Sequence, residues 1–306
     1  MIDQTYRSST LNQVKGIILA GGTGSRLWPL TKTTSKQLLP VYDKPLIYYP
    51  LSTLMLAGIK DILIITTPQD LDSFKNLLGD GSSIGISITY AVQPKPEGLA
   101  QAFLIGEEFI GDQSVALILG DNIFYGSGLG RKLSEIKNIN GAKIFGVKVK
   151  DPERYGVVEA TECGLVLSIE EKPANPRSDT AVPGIYFFDN TVSTRAGKVT
   201  KSSRGELEIT SVLESYLNDN LLELKILHPS TAWMDCGTVD SLNEAANFVR
   251  STELSISFKI GCIEEVAFRK GWISKVELKN LIHNLGNNEY SQYLQIVLQK
   301  NELYES

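Results

Sequence analysis

From Lys15 onward, short runs of β-branched and aliphatic residues alternate with segments of helical period, and this alternation leaves few folds open. KGIILA (15–20), DILIITT (61–67), ISITYAV (86–92), SVALILG (114–120) and AKIFGVKV (142–149) are predicted strands. Their near-continuous apolar character suits a parallel sheet covered on both faces. Between them, residues 51–57, 71–78, 99–109 and 129–136 are predicted helices, the first entered near Pro50, where a proline is tolerated. Such a chain is an α/β protein.

After Asp151 the strands come closer together: VVEA, LVLSIEE, AVPGIYFFD and LELKILH, with a helix over 206–218 before the last. The spacing predicts a second lobe built onto the first. Beyond Val239 the period is helical to the end, and Tyr290, Tyr293, Leu294, Val297 and Leu298 share one face of the last helix. This tail follows the last chemistry-bearing motif, so assembly is its expected task.

Composition excludes several functions. The formal net charge is -5 and no run of Lys and Arg could track a phosphate backbone, so nucleic acid is not an expected partner. Small anions would instead be held by a few placed cations and backbone N–H groups. With 3 Cys in no CxxC spacing and only 2 His, a structural zinc site lacks ligands. Reduced thiols and a cytoplasmic location are expected, and no signal peptide or membrane span is evident.

The strongest local signal is LAGGTGSRLWPLTKTTSKQLLP, a glycine-rich turn directly after the first strand, followed by Arg26 and Lys36. Glycines there let backbone N–H groups approach phosphate. The pattern is neither GxGxxG, since Leu27 follows, nor a P-loop, since GK[ST] is missing. It resembles the nucleotide loop of sugar-1-phosphate nucleotidyltransferases. SKQLLPVYDKPLIYYPLSTLMLAGI, QPKPEGLAQAF, LGDN, YGVVE, EEKP, RGELEIT and AWMDCGT then follow in the order found in the glucose-1-phosphate thymidylyltransferases.

The resemblance implies an α/β, Rossmann-like nucleotidyltransferase core with a mostly parallel sheet, an inserted sugar-binding lobe and a helical C-terminal tail. It divides the chain into a disordered extension over 1–14, a catalytic domain over 15–240 with the lobe at about 151–235, and an assembly or regulatory tail over 241–306. It assigns Gly21, Gly22, Gly24, Ser25 and Arg26 to the nucleotide, Lys36 to the reacting phosphates, and Gln93 and Gly98 to the base. Tyr155, Gly156, Glu171, Val182 and Trp233 would hold the sugar, and Lys172 and Arg204 its phosphate. Asp121 and Asp235 would bind Mg²⁺.

The implied reaction joins dTTP to glucose-1-phosphate, giving dTDP-glucose and pyrophosphate, the first step toward dTDP-deoxysugars such as dTDP-rhamnose. A sugar phosphate has its second pKa near ~6, so it is already an anionic nucleophile at neutral pH and needs no general base. No Ser/His/Asp or Cys/His set is evident, in keeping with catalysis by positioning and charge neutralisation. The resemblance further implies a homotetramer with feedback by a dTDP-sugar at a second site involving the tail.

This chain departs from the family pattern at Ser25, Pro183 and Cys236, where Thr is usual, and at Ser291, where Gly is expected. Two other readings compete. One is another sugar-1-phosphate nucleotidyltransferase, uridylyl or guanylyl, since Trp28 in RLWP is similar to mannose guanylyltransferases, though the following block is not; the other is a non-catalytic sugar-nucleotide sensor, which would share the fold. Intact Arg26, Lys36, Asp121 and Asp235 weigh against the sensor.

Overall fold

In a computed structural model, residues 14–304 are described; apart from Val14, the extension expected to be disordered lies outside them. A ten-stranded sheet runs through the molecule. Lys15–Ala20 lies parallel between Asp61–Thr66 and Val115–Leu119, and Ser87–Val92 extends the parallel set beyond Asp61–Thr66. The order therefore reverses beside the first strand. In such sheets a crevice opens at the carboxyl ends of the strands where the order reverses.

The strand runs are apolar because both faces are covered. Ile18, Ile62, Ile64 and Ile118 pack into one layer, Ile17, Leu19, Leu63 and Leu117 into the other. Helix Tyr48–Leu56 covers the first face, with Pro50 in its first turn, where an N–H has no helical acceptor to lose.

Two predicted elements are divided. Residues 99–109 form helices Gln101–Ile105 and Glu107–Ile110 rather than one, with Gly106 between them. A Cβ at Gly106 would come within 3.0 Å of Ile17 and 3.2 Å of Leu63, so the glycine lets the break press onto the sheet. AVPGIYFFD likewise splits into Thr180–Ala181 and Ile185–Phe188, because Pro183 offers no N–H to a ladder.

The second half of that pair sits inside the main sheet. Ile185–Phe188 runs antiparallel between Val115–Leu119 and Ala142–Lys148, and Leu222–Ile226 pairs parallel with Ala142–Lys148. Gly156–Ala160 and Val166–Glu171 continue the same sheet outward. The lobe and the core thus share one backbone ladder.

A short antiparallel ladder outside that sheet joins Asn122–Tyr125 to Ala232–Asp235, with Asp235 opposite Asn122. Helix Val239–Ile256 follows at once, its start fixed by a capping box between Thr238 and Ser241. Helices Ile263–Arg269, Lys275–Leu285 and Glu289–Tyr304 complete the tail. The face expected of the last helix is the buried one: Leu294, Val297 and Leu298 join the layer that holds Ile18 and Ile118, with Tyr290 and Tyr293 against it.

Because tail and sheet share a hydrophobic layer, they should unfold together. Leu294→Ala removes a fully buried side chain, at a cost of about 2–5 kcal/mol. Calorimetry should show one transition moved to lower temperature; a separate, early-melting tail with an unmoved main transition would contradict the shared core.

Candidate active site

A cavity of about 440 Å³ opens at the carboxyl ends of the parallel strands. One wall is the turn after Lys15–Ala20. Gly24 has φ 62°, and a Cβ there would lie 3.0 Å from Thr31, whose hydroxyl donates to the Gly24 carbonyl at 2.7 Å. Only glycine suits that position. Leu27 is fully buried beneath the turn, anchoring it so that Gly22, Gly24, Ser25 and Arg26 line the cavity.

The predicted base-side residues enter differently. Gln93 follows strand Ser87–Val92, is buried and lines the cavity. Gly21 does not line it: a Cβ on Gly21 would sit 2.0 Å from Gln93 Oε1, so this glycine makes room for the glutamine. Gly98 lines the cavity, yet its glycine is demanded by protein backbone, the Leu207 carbonyl lying 2.4 Å from where a Cβ would be.

Opposite the glycine turn lies the charged centre. Asp121 follows strand Val115–Leu119 and pairs with Lys36 Nζ, while Asn122 Nδ2 donates to Asp121 at 3.0 Å. Burial alone would raise the Asp121 carboxyl, but the Lys36 ammonium more than offsets it and holds the group below the usual aspartate range. Asp235 also lines the cavity, and it is pushed the other way. Burial raises its pKa, the Asp121 charge raises it further, and Lys36, Arg26 and Arg154 only partly compensate.

The far wall belongs to the lobe. Arg204 forks onto Glu208 with both contacts at 2.9 Å and reaches Glu171 at 3.4 Å, where Lys172 approaches from 3.6 Å. Burial holds Glu171 above the usual glutamate range despite these two cations. Lys172 has φ 44°, a left-handed conformation uncommon outside glycine, fixed by donation of its N–H to the Tyr155 carbonyl at 3.0 Å. Gly156, Val182 and Trp233 complete the wall, with the Tyr155 and Trp233 rings edge to face at 5.0 Å.

Apart from Gly21, every residue that the resemblance assigns to nucleotide, sugar, phosphate or metal borders this one cavity. Sequence reasoning missed several others. Asn122 accepts from Trp233 Nε1 at 2.6 Å and from Gly184 N at 3.2 Å while holding Asp121; its place directly after the aspartate in LGDN was the available signal. Arg154 and Glu208 also line the cavity; Glu208 sits in RGELEIT four residues after Arg204, which was the available signal, whereas nothing local separates Arg154 from an ordinary surface charge.

The donor set suits a hard cation. Asp121 and Asp235 offer carboxylate oxygens, and no group of three or more His, Cys, Asp or Glu placed to hold a metal ion occurs among the described residues. That matches Mg²⁺, which takes one or two protein carboxylates and completes its shell with water and phosphate oxygens. Repulsion between the two carboxylates is what such a cation relieves.

A glycine turn after the first strand of a switched parallel sheet, facing paired aspartates and a cationic lobe, defines a nucleotidyltransferase. The chain belongs to the nucleotidyl transferase family, whose model matches residues 15–252, and within it to the glucose-1-phosphate thymidylyltransferases. It is 55% identical over 288 residues to the enzyme of that name from Neisseria meningitidis serogroup A, covering 94% of this chain and 100% of the relative. The Mycobacterium tuberculosis enzyme is 54% identical with the same coverage.

Solved structures agree. A Bacillus anthracis protein described as a glucose-1-phosphate thymidylyltransferase, in complex with sucrose, superimposes with TM-score 0.72 at 42% identity, over 78% of this chain and 95% of its own. A UDP-glucose pyrophosphorylase complexed with UDP-glucose gives TM-score 0.70 at 26% identity, over 78% and 99%.

The raised Asp235 predicts a pH-dependent instability. Its folded-state pKa lies above the unfolded one, so the stability it contributes is present at low pH and is lost as pH rises through the raised value. Asp235→Asn should therefore raise the melting temperature of the metal-free protein at pH 7, by roughly a few degrees. The gain should shrink toward pH ~4, where an ordinary aspartate protonates. A melting temperature lowered equally at both pH values would contradict the electrostatic assignment.

Proposed function

We propose that the protein transfers a thymidylyl group from dTTP to α-D-glucose-1-phosphate, releasing pyrophosphate and leaving dTDP-glucose. One observation carries the reading: the glycine turn with Arg26, the Asp121–Asp235 pair and the Lys172–Arg204 pair all face one cavity. That cavity accepts two anions from opposite sides, with acidic groups between them.

In this reading Gly22, Gly24 and Ser25 take the triphosphate, and Arg26 and Lys36 offset charge on the departing pyrophosphate. Gln93 takes the base. Tyr155, Gly156, Glu171, Val182 and Trp233 hold the sugar, with Lys172 and Arg204 on its phosphate. Asp121 and Asp235 would hold Mg²⁺, which supplies charge neutralisation at the reacting phosphates. The sugar phosphate oxygen attacks the α-phosphorus in line, and the bond to pyrophosphate breaks.

A homotetramer, a cytoplasmic location and dTDP-sugar feedback belong to the same proposal. No helix among the described residues is long and apolar enough to cross a membrane. A second cavity of about 320 Å³ lies between core and tail, lined among others by Tyr49, Phe124, Lys259 and Arg269. Lys259 is paired there with Asp43 and Glu253, and Arg269 with Glu265, so a dTDP-sugar diphosphate would have to compete with these carboxylates for the two cations.

Incubation with glucose-1-phosphate, Mg²⁺ and single nucleoside triphosphates should release pyrophosphate best with dTTP. Release with none would favour a sensor. In the active protein, Lys172→Met removes a charge-assisted contact worth about 1.5–3 kcal/mol, so kcat/KM for glucose-1-phosphate should fall about tenfold or more. An equal loss for dTTP would assign Lys172 elsewhere.

A further inference from the structure

The amide network behind Gln93 has a fixed polarity, and that polarity selects a base. Gln101 begins helix Gln101–Ile105 and does not border the cavity. Its Oε1 accepts from the Glu97 backbone N–H at 3.1 Å, and its Nε2 donates to the Glu97 carboxylate at 3.1 Å. A backbone N–H can only donate and a carboxylate can only accept, so the two contacts together leave Gln101 one orientation.

Glu97 is itself held as an ion. Lys201 Nζ lies 2.6 Å from its other oxygen, and this hydrogen bond keeps the Glu97 carboxyl below the usual glutamate range. The same Gln101 Oε1 then accepts from Gln93 Nε2 at 2.6 Å. Gln93 must therefore present its amide nitrogen to Gln101. A flipped Gln93 would set two carbonyl oxygens against each other.

What remains free on Gln93 is one N–H and the carbonyl oxygen Oε1, which has no hydrogen-bond partner among the described residues. Oε1 also lies over Gly21, where no side chain intrudes. Gln93 itself lines the cavity, so its free donor and acceptor occur there in a set order.

We propose that Gln101 is a positioning residue for base discrimination, locking Gln93 in the orientation that pairs with thymine and rejects cytosine. The proposal rests on the reading that Gln93 faces the base of dTTP. Thymine offers the O4 acceptor beside the N3–H donor, which matches the free N–H and Oε1 of a locked Gln93. Cytosine offers an amino donor at C4 beside an N3 acceptor, the reverse order. It could pair fully only with a flipped carboxamide, which Gln101 opposes, so buried polar groups would face like with like.

The test compares kcat/KM for dTTP and for dCTP, with glucose-1-phosphate and Mg²⁺, in the wild type, Gln101→Leu, Gln101→Lys and Gln93→Ala. Gln101→Leu frees the Gln93 carboxamide, and the dTTP over dCTP ratio should fall at least about tenfold. Gln101→Lys puts a donor where the acceptor was, turns the Gln93 carbonyl toward it, and should lower the ratio at least as far. KM for glucose-1-phosphate should stay unchanged in both. If either folded variant loses activity with both nucleotides in parallel and keeps the wild-type ratio, the positioning role is overturned. Gln93→Ala separates the layers: if it keeps the ratio while the wild type discriminates, Gln93 does not read the base, whereas a wild type inactive with dTTP overturns the function itself.

Discussion

Two ionised carboxylates in one buried pocket are costly without a cation or a proton, because each loses its hydration and repels the other. Asp121 and Asp235 are in that position, and Lys36 forms an ion pair with Asp121 while it and two arginines offset the charge on Asp235 only in part. The result is asymmetric: Asp121 is held ionised and Asp235 is pushed toward protonation. A dication beside both would satisfy the pair. The site is thus a place of stored electrostatic cost, which natural proteins keep where function requires it.

Much of the fold depends on holding that arrangement. Asp121 is placed by the end of a central parallel strand, and Asp235 arrives from far along the chain through the ladder between Asn122–Tyr125 and Ala232–Asp235. In that ladder Cys236 N donates to the Asp121 carbonyl at 3.0 Å. This contact uses backbone alone, which explains how Cys236 can stand where a hydroxyl residue is usual. Pro183 acts similarly: it divides a strand, and the next residue, Gly184, donates its N–H to Asn122, which holds Asp121.

The parallel strands were legible because burial on both faces imposes apolar runs that few other elements require. The glycine turn was legible as a turn because its conformation requires glycine, Gly24 being forced by both its φ and its neighbour Thr31. What the sequence concealed was pairing between distant residues. Nothing local shows that Ile185–Phe188 enters the middle of the sheet, or that Trp233 donates to Asn122. Gly21 and Gly98 carry a second constraint that their motifs do not show: a Cβ on either would meet a protein atom, Gln93 Oε1 or the Leu207 carbonyl. The tail packs into the core through the face its period predicted, and Ser291, where glycine was expected, is absorbed by donating to the Asn288 carbonyl at 2.9 Å.

The proposed reaction is a single in-line displacement driven by positioned charge, with no enzyme nucleophile. The stereochemistry at the α-phosphorus tests it most directly, using dTTP that carries one sulfur at that phosphorus in a single configuration. One displacement by the sugar phosphate inverts the configuration in the sugar-nucleotide product, and inversion is the result this account predicts. Retention would require two successive displacements through a thymidylyl group bound to a side chain, and would contradict it.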